Sequence, residues 1–415
     1  MHGQGLKASR QGAEDTPVTR RGLIRTTWVG VLGVVTWLAA LHAYHKTFPW
    51  LSDWVVIQVG ARTLVHYHLT NLYSGPRLHV YVDNPDIQIG PPVLWSVAAF
   101  EWLNDQALYK LFSVVSAVIG LVGVLSAFAA GGWVRPDRSN ALRLRTALAL
   151  ATVVTTALVA NEADRWKHID DVMALTLALL AAYLIARQRA WWLIGLLLGT
   201  GIAAKPWALI LAPILLALPR RDLARTTLVT ICVAAAWWAP FVIAAPDTLQ
   251  ALGHYEIRPT NGSVLYLVGL HGPVQRWLRP VQFFLGLGVG AFVCRRRDWL
   301  AAPLAALAAR VLTDPFAYGY YGLGPLLFAA MYDAGGRGWR GYPTFTAGTV
   351  AIEFVLPYYL NAHQSLLAGS KAAWAIAMLA VLLARKPQRP GPDPEPRTAD
   401  ASPDRPPPEA TSAAR

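Results

Sequence analysis

The chain of 415 residues is 54% hydrophobic and 15% charged, with a formal net charge of +13. This composition excludes a string of soluble domains and marks a polytopic helical membrane protein. It does not point to nucleic acid, because no basic helix or aromatic-basic pattern is present and the basic residues sit mostly between apolar blocks.

In chain order, residues 1–23 form a polar, basic tail expected to be disordered. Its Thr19-Arg20-Arg21-Gly22-Leu23 superficially resembles a twin-arginine signal. The apolar run from Ile24 to Ala43 is long enough to span a bilayer, however, and many similar runs follow it. The stretch His45–Leu103 comes next and ends in the apolar segment Pro91–Leu103. Reading that segment as a second transmembrane helix would put Arg135, Arg138, Arg143 and Arg145 on the same side as Lys46, against the positive-inside rule. As a helix its 13 residues rise about 20 Å, against a hydrocarbon core of about 30 Å. An interfacial helix is therefore expected.

The expected spans are then 24–44, 107–130, 146–160, 171–186, 191–204, 206–218, 226–245, 280–294, 299–312, 321–333, 343–360 and 372–384. These twelve segments leave both termini cytoplasmic and put arginines in every inner loop. Several are short for a membrane crossing, which neighbouring helices or a wet cavity make tolerable. The 191–218 block must be a hairpin with its tip at Ala204-Lys205-Pro206, where proline breaks the helix. Cys232 and Cys294 both lie inside apolar segments, so neither a disulfide framework nor a zinc site is expected. The domain reading is a cytoplasmic tail (1–23), one transmembrane domain (24–384) with a first outer loop at 45–106, and a second disordered tail (385–415).

Polar residues collect on the outer side. Asp53 follows the first span between Trp50 and Trp54, where a carboxylate could take a proton from an attacking hydroxyl. Ser52 and Asp53 are also good helix caps. Asp170 and Asp171 open the span at 171–186 behind His168, with Glu162 and Asp164 in the same loop. This group could cap the helix, bind sugar hydroxyls or hold a metal, although its spacing is no recognised zinc motif. Lys205 at the hairpin tip could contact a phosphate or snorkel to the interface. Arg258 in YEIRPTNGS is a second phosphate candidate. Asp314 and Tyr318 lie in TDPFAYGY with Tyr320 and Tyr321, placed to stack on a sugar or to join an interfacial aromatic belt. The glycines Gly195, Gly199, Gly286, Gly288 and Gly290 read as helix-packing features, not nucleotide loops.

Taken as an ordered set, these motifs resemble the GT-C glycosyltransferases, specifically the polyprenyl-phosphate-mannose-dependent mannosyltransferases of bacterial envelopes. The residues that carry the resemblance are Asp53, Ala61-Arg62, Asn71-Leu72-Tyr73, Gly90-Pro91-Pro92-Val93-Leu94, Lys167-His168-Ile169-Asp170-Asp171 and the glycine-rich run from Gly199 to Lys205-Pro206. The chain departs from the family in having Lys167 and Ile169 around the second-loop His, and an Asp-Pro-Phe, Tyr-rich stretch where some members place late His residues.

The resemblance implies an all-α, GT-C-like bundle in the plasma membrane with its active site on the outer face. The implied reaction is inverting single displacement, most simply of mannose, from a polyprenyl phosphate to an envelope glycolipid or glycan. Asp53 would be the base. Lys205, with Arg258 or His168, would stabilise the departing phosphate, and no metal or other cofactor would be needed. Arabinose or glucose transfer by the same fold is an alternative. So is a transporter or flippase of polyprenyl-linked lipids, which would more often show internal duplication and mid-membrane charge.

Overall fold

The computed structural model describes residues 52–66, 79–84, 87–134, 151, 153–159, 168–254, 258–274, 277–296, 298–316, 319–338, 342–360 and 362–385. The expected span 24–44, both tails, Asn71-Leu72-Tyr73, the loop acids Glu162 and Asp164, and Tyr318 lie outside this set. About 81% of the structure is helical, with no strand among the described residues, so the fold is all-α.

The first described element, α1 (Ser52–His66), begins where the Ser52-Asp53 cap was expected. The short helices α2 (Val80–Asp83) and α3 (Pro91–Ala98) follow it. Proline at the first turn of α3 suits a helix start, where its missing N–H has no partner to lose. At 8 residues, α3 rises about 12 Å and cannot cross a bilayer. The long α4 (Asp105–Val134) is next, then α5 (Ile169–Ala186) and α6 (Trp191–Ala204). A 3-10 helix (Pro206–Ala217) leads into α7 (Arg220–Ala244). Beyond lie the short α8 (Thr248–His254) and α9 (Val264–Leu267), then α10 (Leu278–Arg295), α11 (Ala302–Thr313) and α12 (Leu323–Ala334). A π turn (Ala351–Val355) separates α13 (Thr344–Val350) from α14 (Leu356–Leu360), and α15 (Gln364–Ala384) closes the described chain.

Among the described residues, four helices are long and apolar enough to cross a membrane: Asp105–Gly132, Ile169–Ala186, Arg220–Ala244 and Gln364–Ala384. Only 11% of the apolar window of α7 is buried, and Leu228, Ile231 and Ile243 point outward from it. A polar solvent would penalise that face; hydrocarbon would not.

Two apolar cores organise these helices. The larger joins α4, α5, α6, the 3-10 helix, α11, α12 and α15 through fully buried residues such as Leu179, Leu211, Leu304 and Phe328. The smaller belongs to the region after Asp53: Trp54, Ile57, Leu64, Tyr81 and Leu94 pack with Leu108, Ile169, Ala204 and Phe241. Two polar anchors hold this region down. Gly90 donates its N–H to the Ala204 carbonyl at 3.0 Å, and Arg62 pairs with Glu101 at 3.4 Å and with Asp105.

Small residues let the helices approach closely, as van der Waals association in a membrane requires. A Cβ at Gly195 or Gly199 would press on Val229 or Val233 of α7. Gly286 and Gly290 of α10 lie against Ile210 and Pro213 of the 3-10 helix, whereas Gly288 faces open space.

Candidate functional site

The chain breaks at Lys205, which adopts extended φ/ψ of −147° and 105° between α6 and the 3-10 helix. The expected hairpin break is therefore present. The break turns the ammonium onto the start of α5, where Lys205 Nζ pairs with Asp170 Oδ2 and lies 3.6 Å from Asp171 Oδ2. Burial alone would lower this ammonium; the facing Asp170 and Asp171 carboxylates outweigh that and hold it above its ordinary value. His168 completes the knot, with Nδ1 3.6 Å from Asp170 Oδ1 and 3.4 Å from Asp171 Oδ2, and its ring stacked on Tyr320 at 3.7 Å.

Asp170 and Asp171 are 0% and 2% exposed, and each keeps one oxygen that accepts no hydrogen bond among the described residues. They stand in the first turn of α5, where the helix dipole favours negative charge. The ligand atoms of His168, Asp170 and Asp171 lie within 4.8 Å of one another, a spacing that could hold a cation. Lys205 already neutralises Asp170 in the same place, so a divalent ion would have to displace the ammonium.

From Asp171 the contacts lead into a cleft. Trp207 Nε1 donates to Asp171 Oδ1 at 2.6 Å, and the Arg310 guanidinium lies 4.0 Å from the centre of the Trp207 ring and 5.2 Å from that of Tyr321. Arg310 Nε donates to Asp314 Oδ2 at 3.0 Å, and the other Asp314 oxygen accepts the Phe316 N–H at 3.1 Å. Burial raises the Asp314 carboxyl above the ordinary range, although Arg310 pulls the other way. Arg310 thus has its Nε engaged and its planar face stacked, and its terminal nitrogens make no hydrogen bond among the described residues.

Asp171, Trp207, Arg310, Asp314, Tyr320, Tyr321, Glu353 and Lys371 all line this cleft. Aromatic faces beside charged hydrogen-bonding groups suit a ring that bears hydroxyls or a phosphate. The cleft is narrow, about 30 Å³, or room for about two water molecules. A sugar ring enters only if the walls part.

Of the sequence candidates, His168, Asp170, Asp171 and Lys205 form one knot, and Asp171 joins it to Asp314. Arg258 is exposed and outside the cleft, although Gly262 and Ser263 farther along its loop line it. The backbone of Asp53 lies in α1, while its side chain is outside the described residues. Its neighbour Trp54 shares a core with Ile169 and Ala204, which adjoin Asp170 and Lys205.

Sequence reasoning missed Arg310, Trp207, Glu353 and Lys371. Arg310 and Asp314 had a readable signal, the i, i+4 spacing of a helical ion pair. A separate polar cluster sits at the far end of α12. There Asp333 accepts two hydrogen bonds from Thr346, at 2.7 and 2.8 Å, and Arg337 pairs with Asp298 at 2.8 Å. No protein-family model, curated protein or solved structure matches the chain.

Proposed function

We propose that the chain is a plasma-membrane glycosyltransferase that moves a sugar, most simply mannose, from a polyprenyl phosphate to an envelope glycolipid or glycan on the outer face. The proposed topology is the twelve-segment bundle with both termini cytoplasmic. The observation that carries the proposal is the convergence of the His168–Asp170–Asp171–Lys205 knot with the aromatic, arginine-bearing cleft, both at the ends of apolar helices. A lipid-linked donor needs such an arrangement, with its tail in hydrocarbon and its head among cations and aromatic faces.

In this reading Asp53 takes the proton of the acceptor hydroxyl as the hydroxyl oxygen attacks the anomeric carbon and the bond to the phosphate breaks. Positive charge near the leaving group stabilises the negative charge that develops there. With Lys205 committed to Asp170, Arg310 is the better-placed phosphate ligand, since its terminal donors remain available for a bidentate contact. Holding donor and acceptor in one bilayer lowers the entropic part of the barrier.

In proteoliposomes supplied with polyprenyl phosphate mannose and a mannoside acceptor, Asp53→Asn should reduce transfer by about a hundredfold or more, as expected for loss of a general base. Transfer by Asp53→Asn at the wild-type rate would refute the base assignment. Lipid translocation without transfer by the wild-type protein would favour the flippase reading instead. Because Lys205 supplies the cationic charge beside Asp170, EDTA should leave the transfer rate unchanged. Loss of activity on chelation, with recovery on adding Mg or Mn, would show that a cation is required.

A further inference from the structure

The ion pair between Glu353 and Lys371 takes no part in the chemistry proposed above. Its nitrogen and oxygen are 2.8 Å apart, and the side chains of Lys371 and Glu353 are 7% and 5% exposed. Lys371 lies on α15, a helix long and apolar enough to cross a membrane. A buried pair is a weak source of stability, because desolvating two charges costs about as much as their contact returns. An ionisable pair on such a helix is by default a candidate functional site.

The local backbone is unusual as well. Glu353 is the central residue of the π turn Ala351–Val355, and such turns disrupt regular helix geometry and collect at functional sites. Gly322 makes room for it, since a Cβ there would sit 2.8 Å from Glu353 Cβ. The carboxylate is also directional. Lys371 engages Oε2, whereas Oε1 accepts no hydrogen bond among the described residues and is not among the buried oxygens that lack one. Glu353 lines the cleft, and Oε1 is the carboxylate oxygen that Lys371 does not engage.

We propose that Glu353 Oε1 accepts a hydrogen bond from a ring hydroxyl of a sugar bound in this cleft, with Lys371 as the positioning residue that fixes the carboxylate's aim. The ligand class rests on the sugar-transfer reading; the subsite itself rests on the pair, the π turn and the cleft. The hydroxyl belongs to the donor's sugar or to the acceptor's, and kinetics distinguish the two.

The test uses the full chain in nanodiscs with methyl α-D-mannopyranoside as the probe, read by saturation-transfer NMR. The wild type should give a signal that Glu353→Gln reduces about tenfold, the effect of losing a hydrogen bond to a charged group, in protein that is still folded at the assay temperature although its thermal midpoint falls because Lys371 is left buried without its carboxylate. No wild-type signal, or an undiminished one in Glu353→Gln, overturns the subsite. The exchanged pair Glu353→Lys with Lys371→Glu separates structure from recognition. A purely structural pair regains both stability and signal on exchange; the subsite regains stability alone. If the exchanged protein does not fold, Glu353→Gln decides by itself.

In the transfer assay, with polyprenyl phosphate mannose as donor and octyl α-D-mannoside as acceptor, Glu353→Gln should raise one KM about tenfold. The substrate whose KM rises is the source of the hydroxyl. A wild type that binds the probe but transfers nothing refutes the transfer reading and leaves the subsite standing. Transfer with both KM values unchanged in Glu353→Gln does the reverse.

Discussion

At Lys205 a single extended residue between two apolar helices sends an ammonium into a pair of carboxylates. Lys205→Met would leave Asp170 buried with only the His168 imidazole beside it, at a cost of about 3–5 kcal/mol. The thermal midpoint of the detergent-solubilised protein should fall accordingly, and adding Asp170→Asn should recover most of the loss. Losses that simply add would show that the two residues do not act as a pair. Lys205, Asp170 and Asp171 were legible in the sequence because charge is scarce at apolar segment ends and each stands beside a helix boundary. Glu353 and Lys371 were equally scarce charges, but each is alone in its run, and only the fold brings them to 2.8 Å.

Gly90 is where α3 meets the hairpin. Any Cβ there would collide with the Ala203 and Ala204 carbonyls, and the Gly90–Ala204 hydrogen bond would break. Gly90→Ala should therefore detach the region after Asp53 from the knot, at a cost of about 1–3 kcal/mol. Amide exchange should rise across α1 and α3 while α11 and α12 stay protected; unchanged exchange in α3 would refute the docking role. Most element bounds were readable, as 171–186 and 191–204 against Ile169–Ala186 and Trp191–Ala204 show. Apolar runs punctuated by Pro, Gly and Arg suffice for that. The 3-10 and π geometries were not readable. A run apolar on every side has no polar face from which to tell a period of 3.0 or 4.4 from 3.6.

For the whole molecule, the all-α membrane character was legible from composition. The two cores were not, because their separation depends on which helices meet across long sequence distances. The proposed topology makes a direct prediction. A green fluorescent protein fused after Arg385 should fluoresce, and alkaline phosphatase at the same position should be inactive. A phosphatase inserted at residue 165 should be active. The opposite pattern at either position would overturn the proposed orientation and with it the outer-face site.

The contact between the 3-10 helix and α10 sets a length match. Ile210 and Pro213 are three residues apart and meet Gly286 and Gly290, which are four apart. Three steps of a 3-10 helix advance about 6 Å, as do four steps of an α-helix. The tighter coil therefore acts as a vernier: its columns of eclipsed side chains stay in phase with the glycine notches of its neighbour. Trp207 stands on the same column, three residues before Ile210, so the glycine notches of α10 also set the height at which its indole reaches Asp171 and Arg310. Relaxing this one helix to α geometry would shorten it by about a quarter and draw the cleft's tryptophan out of line.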